Sequence, residues 1–360
     1  MKTIQIELAA NAYPVYLGSG LLADPSLWRR HLGSGKTLVV SNDVVAPLYL
    51  ETLKAGLEGL QPQVHIIPDG EPHKTCDTWY GIIDRLVNMQ ARRDVNVIAL
   101  GGGVVGDITG FAAASYMRGV RFLQAPTTLL AQVDASVGGK TGFNHEKGKN
   151  LVGAFHQPAT VIIDSATLDS LPAREYRAGL AEVVKYGAIR DPQFLDWLEG
   201  HVPEINARST HALDYLISRS VSNKAEIVAA DEKEAGVRAL LNFGHSFGHA
   251  LEAETAYSEF LHGEAVSIGM VIAASLSEKR QLCKHGAAAR LSGLLESFGL
   301  PVALPPQTSV DGMVEALNLD KKAVAAGLRL ILLHSLGNAV IDNESTLPEI
   351  IQILQQSLGR

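Results

Sequence analysis

Only two cysteines, Cys76 and Cys283, occur in 360 residues, far apart and outside any C-x-x-C pair. That excludes a disulfide framework and leaves no thiolate metal site to look for. A reducing, cytoplasmic setting follows as the expectation. Charge is sparse as well: 19% of residues are Asp, Glu, Lys or Arg, and the net balance is −7. An acidic chain is a poor fit to nucleic acid or an anionic membrane surface, so neither is expected as a partner. No apolar run approaches the roughly 20 residues of a membrane-spanning helix. The opening MKTIQIELAANAYPVYLG alternates apolar and polar residues and carries Glu7 and Asn11 where a signal peptide would be apolar. It reads as a first strand, not a targeting segment.

Hydrophobic residues make up 46% of the chain, enough for a large core, and the length favours two domains. Near-continuous apolar runs at 36–40, 64–67, 95–100, 120–125 and 160–164 alternate with helical stretches such as 44–57 and 75–90. Strands buried on both faces and interleaved with helices predict a doubly wound, mostly parallel α/β sheet. From Pro172 onward the pattern becomes helical, at 173–188, about 208–232, 239–255, 262–280 and 285–298, with strand-like text returning only at 328–337. The expectation is an α/β domain over 1–170 and a mostly helical domain over 171–360, with ligands in the cleft between them.

Chemistry-bearing residues fall in three groups. VIALGGGVVGDITG places Gly101, Gly103 and Gly106 as G-x-G-x-x-G between a strand and a helix. Glycines there let the backbone approach a pyrophosphate at a positive helix end. Packing of helix on strand is the bland alternative, because no acidic residue follows about 20 positions on. Polar turns after other strands strengthen the nucleotide reading: Asp43, the PDGEPHK turn at 68–74, and Thr127 with Thr128.

NFGHSFGH puts His245 and His249 four apart on one helix face, and LHGEA supplies His262. AGLAEVVKYG sets Glu182 and Lys185 three apart on another helix. One carboxylate and two imidazoles suit zinc, cobalt or a similar divalent ion with open positions, though spacing leaves open which histidines serve. Single helix histidines are more often surface or capping residues, but three glycine-flanked segments make coincidence a weaker account. Last, Arg118, Lys140, Lys147, Lys149, Lys224, Arg238, Lys321 and Lys322 border these segments in an otherwise acidic chain. Most surface lysines are merely solvated; a substrate bearing phosphate and carboxylate would explain this placement. The stretch 138–150 that carries three of them is too polar and glycine-rich to read as a packed element.

DGEPHK, GGGVVGD, PTTLLAQVDASVGGKTGFNH, KNLVGAFHQP, AGLAEVVKYG, LNFGHSFGHALE, LHGEAVSIGM and DKK run collinearly over residues 69–322. Together they resemble the dehydroquinate synthase family of sugar phosphate cyclases. Ser246, where that family more often has Thr, is a minor departure that keeps the hydroxyl. The resemblance implies an NAD-binding α/β domain, a helical domain and a homodimer. It implies Glu182, His245 and His262 as ligands of one zinc or cobalt ion. It implies NAD contacts from Asp43, Asp69, Gly70, Glu71, Pro72, His73, Lys74, Gly103, Val104, Val105, Gly106, Asp107, Thr127, Thr128, Lys140, Lys149, Thr167, Leu168, Asp169 and Ser170.

Around the substrate it implies Asp134, Lys140, Lys149, Asn150, Lys185, Lys224, Arg238, Asn242, His249 and Lys322, with Arg118 reaching into the partner subunit's site. Asp134, Lys140, Lys185, Asn242 and His249 would be catalytic. The implied reaction turns 3-deoxy-D-arabino-heptulosonate 7-phosphate into 3-dehydroquinate and phosphate, a step of the shikimate pathway to chorismate and the aromatic amino acids. It runs by transient oxidation at C5, phosphate elimination, re-reduction and aldol closure. A cyclase for another sugar phosphate and a metal-dependent NAD polyol dehydrogenase are the competing readings. A non-enzymatic binding module has no need of metal ligands, a cofactor loop and a cation cluster together.

Overall fold

The computed structural model describes residues 1–8, 12–234, 236–323 and 328–359, without the side chains of 318–323. Two compact units emerge, one made of Met1–Leu171 with Leu213–Lys233, the other of Pro172–Ala212 with Glu234–Arg360. The sequence expectation assigned everything after 170 to the second domain. The segment Leu213–Lys233 instead groups with the first. Helical periodicity says that a segment has an apolar face and nothing about which core that face joins.

The first unit contains β1 (Lys2–Ile6), β2 (Tyr13–Gly18), α1 (Pro25–Arg29), β3 (Thr37–Asn42), α2 (Ala46–Gly56), β4 (Gln63–Ile67), α3 (Cys76–Asn88), β5 (Asn96–Gly101), α4 (Gly103–Ser115), β6 (Arg121–Pro126), β7 (Lys140–His145), β8 (Gly148–Phe155) and β9 (Thr160–Asp164). Its main sheet runs β1-β2-β9-β6-β5-β3-β4. Every neighbouring pair is parallel except β1 with β2. The doubly wound reading holds, and the cause is visible in the period-2 alternation of side chains. On β5, Val97 and Ala99 pack with Ile82, Leu86, Ile108 and Ala112 of α3 and α4. Their neighbours Ile98 and Leu100 face the other way, against Trp28, Leu53 and Leu57 on the side of α1 and α2. Both faces are covered, which is why the strand text is continuously apolar.

Two local readings need correction. The N-terminal text forms an antiparallel pair, β1 with β2, and not one strand; residues 9–11 between them lie outside the described set. The polar stretch 138–150 is not irregular: β7 and β8 form an antiparallel ribbon, and Phe143 is buried with the α3–α4 core. Gly142 and Gly153 face each other there; a Cβ on either would lie 2.4 or 2.2 Å from the opposite backbone oxygen. Glycines that look like loop text thus permit close strand approach.

The chain continues with α5 (Ala173–Ile189), α6 (Pro192–Gly200), α7 (Val202–Asn206), α8 (Thr210–Ala230), α9 (His245–Glu254), α10 (His262–Lys279), α11 (Ala287–Ser297), α12 (Val310–Ala323), a hairpin of β10 (Leu330–Ser335) and β11 (Asn338–Asp342), and α13 (Leu347–Gln356). The helix expected over 239–255 is broken: a short 3-10 segment, Val237–Asn242, precedes α9. Gly244 stands at φ 80°, a left-handed conformation that stops one helix and starts the next. In the second unit α5, α9 and α10 approach closely through glycines. A Cβ on Gly263 would lie 1.9 Å from the Ala178 carbonyl oxygen on α5, and one on Gly269 would lie 2.0 Å from that of Gly244. Among the described residues no helix is long and apolar enough to cross a membrane.

Candidate functional site

In the first unit, the polar turns lie together at the carboxyl ends of the parallel strands. After β3 and β4, the Asp69 amide donates to Asp43 Oδ1 at 3.0 Å, and Asn42 Nδ2 donates to Asp69 Oδ1. Glu71 accepts from Asn144 Nδ2 at 2.7 Å, joining the 68–74 turn to the β7–β8 ribbon. Buried Lys74 extends from that turn to Asp107 Oδ2 and Asn150 Oδ1, each at 2.6 Å. Burial pushes the Asp107 carboxyl above its usual pKa, and the adjacent Lys74 ammonium opposes that shift.

Gly102 opens α4 with no side-chain cap. A Cβ on Gly103 would meet only Ala135, at an ordinary 3.4 Å, so internal packing does not demand a glycine there. The open space at an uncapped helix N-terminus fits an anionic group such as a pyrophosphate. Val104, Val105 and Gly106 complete that first turn. After β6, Thr127 is buried and its hydroxyl has no hydrogen-bond partner among the described residues; Thr128 caps the next turn by accepting from the Ala131 amide. Thr167 and Leu168 are buried after β9, while Ser170 is exposed and contacts Tyr49. Asp169 lies in that same turn, and Gly70, Pro72 and His73 lie in the one after β4.

Lys224 on α8 also belongs to this unit. Its ammonium reaches Asp134 Oδ1 at 2.8 Å and the Asp134 carbonyl at 2.7 Å. Lys224 thus lies in the Leu213–Lys233 segment that groups with the first unit, where the sequence expectation put it in the helical domain. Lys140 and Lys149 stand on the ribbon. Arg118 lies elsewhere, in a left-handed turn past the C-terminal end of α4. With Gly103 at the other end of that 13-residue helix, the two are about 20 Å apart at 1.5 Å of rise per residue.

The second unit assembles the histidines. Glu182 projects from the buried middle of α5, His245 opens α9, and His262 opens α10. Glu182 Oε1 is 3.6 Å from His245 Nε2 and 3.7 Å from His262 Nε2. That oxygen is buried and has no hydrogen-bond partner among the described residues. The second carboxylate oxygen is neutralised by buried Lys185, one helical turn along. Four ligands at about 2.1 Å in a tetrahedron stand roughly 3.4 Å apart, so the three donor atoms fit one divalent ion.

A second set, His249, Glu252 and His262, shares one imidazole with the first. His249 is exposed, and its ring lies 5.4 Å from that of His245 and 5.7 Å from that of His262. Burial holds His245 well below the usual imidazole pKa, aided by the Lys185 charge and the other two rings. His262 is raised: burial opposes its charge, but the Glu252 and Glu182 carboxylates outweigh it. Asn242 donates to Glu234 Oε1 at 3.1 Å, and Arg238 is buried in the 3-10 segment before it. The side chain of Lys322 falls outside the described residues.

Sequence reasoning passed over Glu252, buried on α9 with its Oε2 3.7 Å from His262 Nδ1. Its signal was a spacing of seven from His245, two turns along the same helix face.

Residues 64–178 match a family model described as 3-dehydroquinate synthase N-terminal, and residues 179–323 match its C-terminal counterpart. A 3-dehydroquinate synthase from Methylococcus capsulatus is 53% identical over 341 residues, covering 95% of each chain. Among solved structures, 2-epi-5-epi-valiolone synthase from Streptomyces hygroscopicus, with NAD+ and Zn2+ bound, superposes with a TM-score of 0.89. It is 34% identical and covers 97% of this chain and 98% of its own. A 2-deoxy-scyllo-inosose synthase complexed with carbaglucose-6-phosphate, NAD+ and Co2+ also reaches 0.89, at 26% identity, covering 99% and 100%.

Proposed function

The chain belongs to the 3-dehydroquinate synthase family, and from that membership we propose that it acts as an NAD- and metal-dependent lyase on 3-deoxy-D-arabino-heptulosonate 7-phosphate, releasing phosphate and 3-dehydroquinate. The observation that carries the chemistry is the Glu182 oxygen, buried and facing the Nε2 atoms of two imidazoles. A buried carboxylate oxygen without a hydrogen-bond partner is costly unless a cation completes it. We assign one zinc or cobalt ion to Glu182, His245 and His262, and NAD to the strand-end turns of the first unit.

When bound, NAD supplies a reversible hydride acceptor and the divalent ion an electrophile toward adjacent hydroxyl oxygens. The chain's own residues do the rest. Elimination requires a proton to leave the carbon beside C5 and a phosphate to depart from the next one. His249, with Asn242, is assigned the proton, since an imidazole can both accept and return one. Lys140, Lys149, Asn150, Lys224, Arg238 and Lys322 are assigned the phosphate and carboxylate, as charge-assisted donors in an acidic chain. Asp134 holds the Lys224 ammonium in place. Lys185 keeps one oxygen of Glu182 neutralised, so that the other faces the imidazoles.

From the family membership we assign Arg118 to the site of a second copy, and hence a homodimer. A cytoplasmic location completes the reading. Phosphate release from the heptulosonate phosphate, with and without chelator and added NAD, tests it. Phosphate should accumulate while nicotinamide absorbance stays flat, and chelation should stop it. Stoichiometric build-up of reduced nicotinamide would instead identify a polyol dehydrogenase. Turnover of a heptose or hexose phosphate lacking the carboxylate, and none of the acid, would identify another cyclase.

A further inference from the structure

The two histidines facing Glu182 are held differently on their far sides. His245 has its Nδ1 3.2 Å from the Phe243 carbonyl oxygen, an acceptor that keeps the proton on Nδ1 and leaves the Nε2 lone pair toward Glu182. His262 makes no such backbone contact among the described residues; its Nδ1 faces Glu252 Oε2 at 3.7 Å, while its Nε2 faces Glu182 Oε1 at the same distance. Opposite nitrogens of one ring therefore point at two different carboxylates. Glu252 is 2% exposed and rises from α9 two turns beyond His245. One helix thus carries both a facing imidazole and the carboxylate behind the other one.

We propose that Glu252 is a positioning residue. It accepts the Nδ1 proton of His262, fixes that ring's tautomer and angle, and so sets the affinity of the centre for its divalent ion. A carboxylate is the stronger choice here than the carbonyl used by His245. The His262 side chain is a third exposed, against 14% for His245, so its ring is less confined by packing. Acceptors behind metal-bound imidazoles raise ligand basicity and hold ring orientation, and their loss typically weakens metal binding about 10- to 100-fold. The inference rests on the metal reading proposed above, and its test separates the two.

Glu252→Gln keeps the shape and removes the charge; Glu252→Ala removes both. Metal-free wild type and variants would be titrated with Zn2+ against a chromophoric chelator, and their Co2+ forms compared by visible absorption. Glu254→Gln, on the same helix but bonded to the Ser309 amide, serves as the control. Weaker binding by about 10- to 100-fold in Glu252→Gln, a further loss in Glu252→Ala, altered Co2+ bands and an unchanged control would support the proposal. Wild-type affinity and spectrum in both variants would overturn it. Failure of the wild type itself to take up a divalent ion would instead overturn the metal reading. Nitrogen NMR of zinc-loaded wild type needs no variant: a protected proton on His262 Nδ1 is expected, and its absence counts against Glu252 however the variants fold.

Discussion

The two units build their chemistry in opposite ways. In the first, many of the polar groups sit on turns after strands, and the sheet beneath sets only where each turn begins. In the second, Glu182, His245 and His262 stand on three helices whose spacing is set by glycine contacts, so the donor geometry is a property of the packing. Turn-borne groups should therefore be separable from stability, and helix-borne ones should not. The substitutions below probe that contrast.

Gly263→Val should have the largest effect. Its Cβ would collide with the Ala178 backbone, which cannot rotate away as a side chain could. Overpacking of this kind costs about 1–3 kcal/mol or more, and here it also separates α5 from α10. A lower melting temperature together with lost metal on elemental analysis is expected; normal metal content would break the comparison. His262→Ala comes next: metal content and turnover should disappear, with a smaller fall in melting temperature than for Gly263→Val. A variant that retained stoichiometric metal would remove His262 from the ligand set.

Lys74→Met tests a buried turn-borne group paired with Asp107 on α4, where the contrast should blur. Asp107 already has a raised pKa, so the folded state binds its proton more tightly than the unfolded state does. Stability from that group is present at low pH and falls as pH rises through the folded value. Without the Lys74 ammonium the folded value should rise further. The variant's melting temperature should then drop more steeply than wild type between acid and neutral pH; parallel pH curves would show that Lys74 does not neutralise Asp107.

Gly103→Val should leave the fold intact, since its Cβ meets only Ala135, yet weaken NAD binding while metal content stays normal. Isothermal titration with NAD reads this directly, and unchanged affinity would remove the α4 N-terminus from the cofactor site. Lys149→Met should be the mildest for stability, within about 0.5 kcal/mol, as for a surface change. Substrate affinity should fall. A large drop in melting temperature with affinity intact would make Lys149 structural.

Legibility follows the same division. The central parallel strands were readable because both faces are covered, leaving the text continuously apolar. The β7–β8 ribbon was not, because one face is polar and its glycines serve close backbone approach. The break before α9 was missed because a left-handed Gly244 looks, in sequence, like any glycine inside a helical pattern.

Sequence alone determined which residues could do chemistry. Spacings of three and four placed Glu182 with Lys185 and His245 with His249 on shared helix faces, because helical geometry is local. Only the tertiary structure decided how these faces meet. It brought His262 opposite Glu182, put Glu252 behind it, and gave Lys224 to the unit that holds Asp134. Those outcomes depend on which apolar face packs against which core and on how closely glycines let the helices approach, and neither is written in the spacing of any one segment.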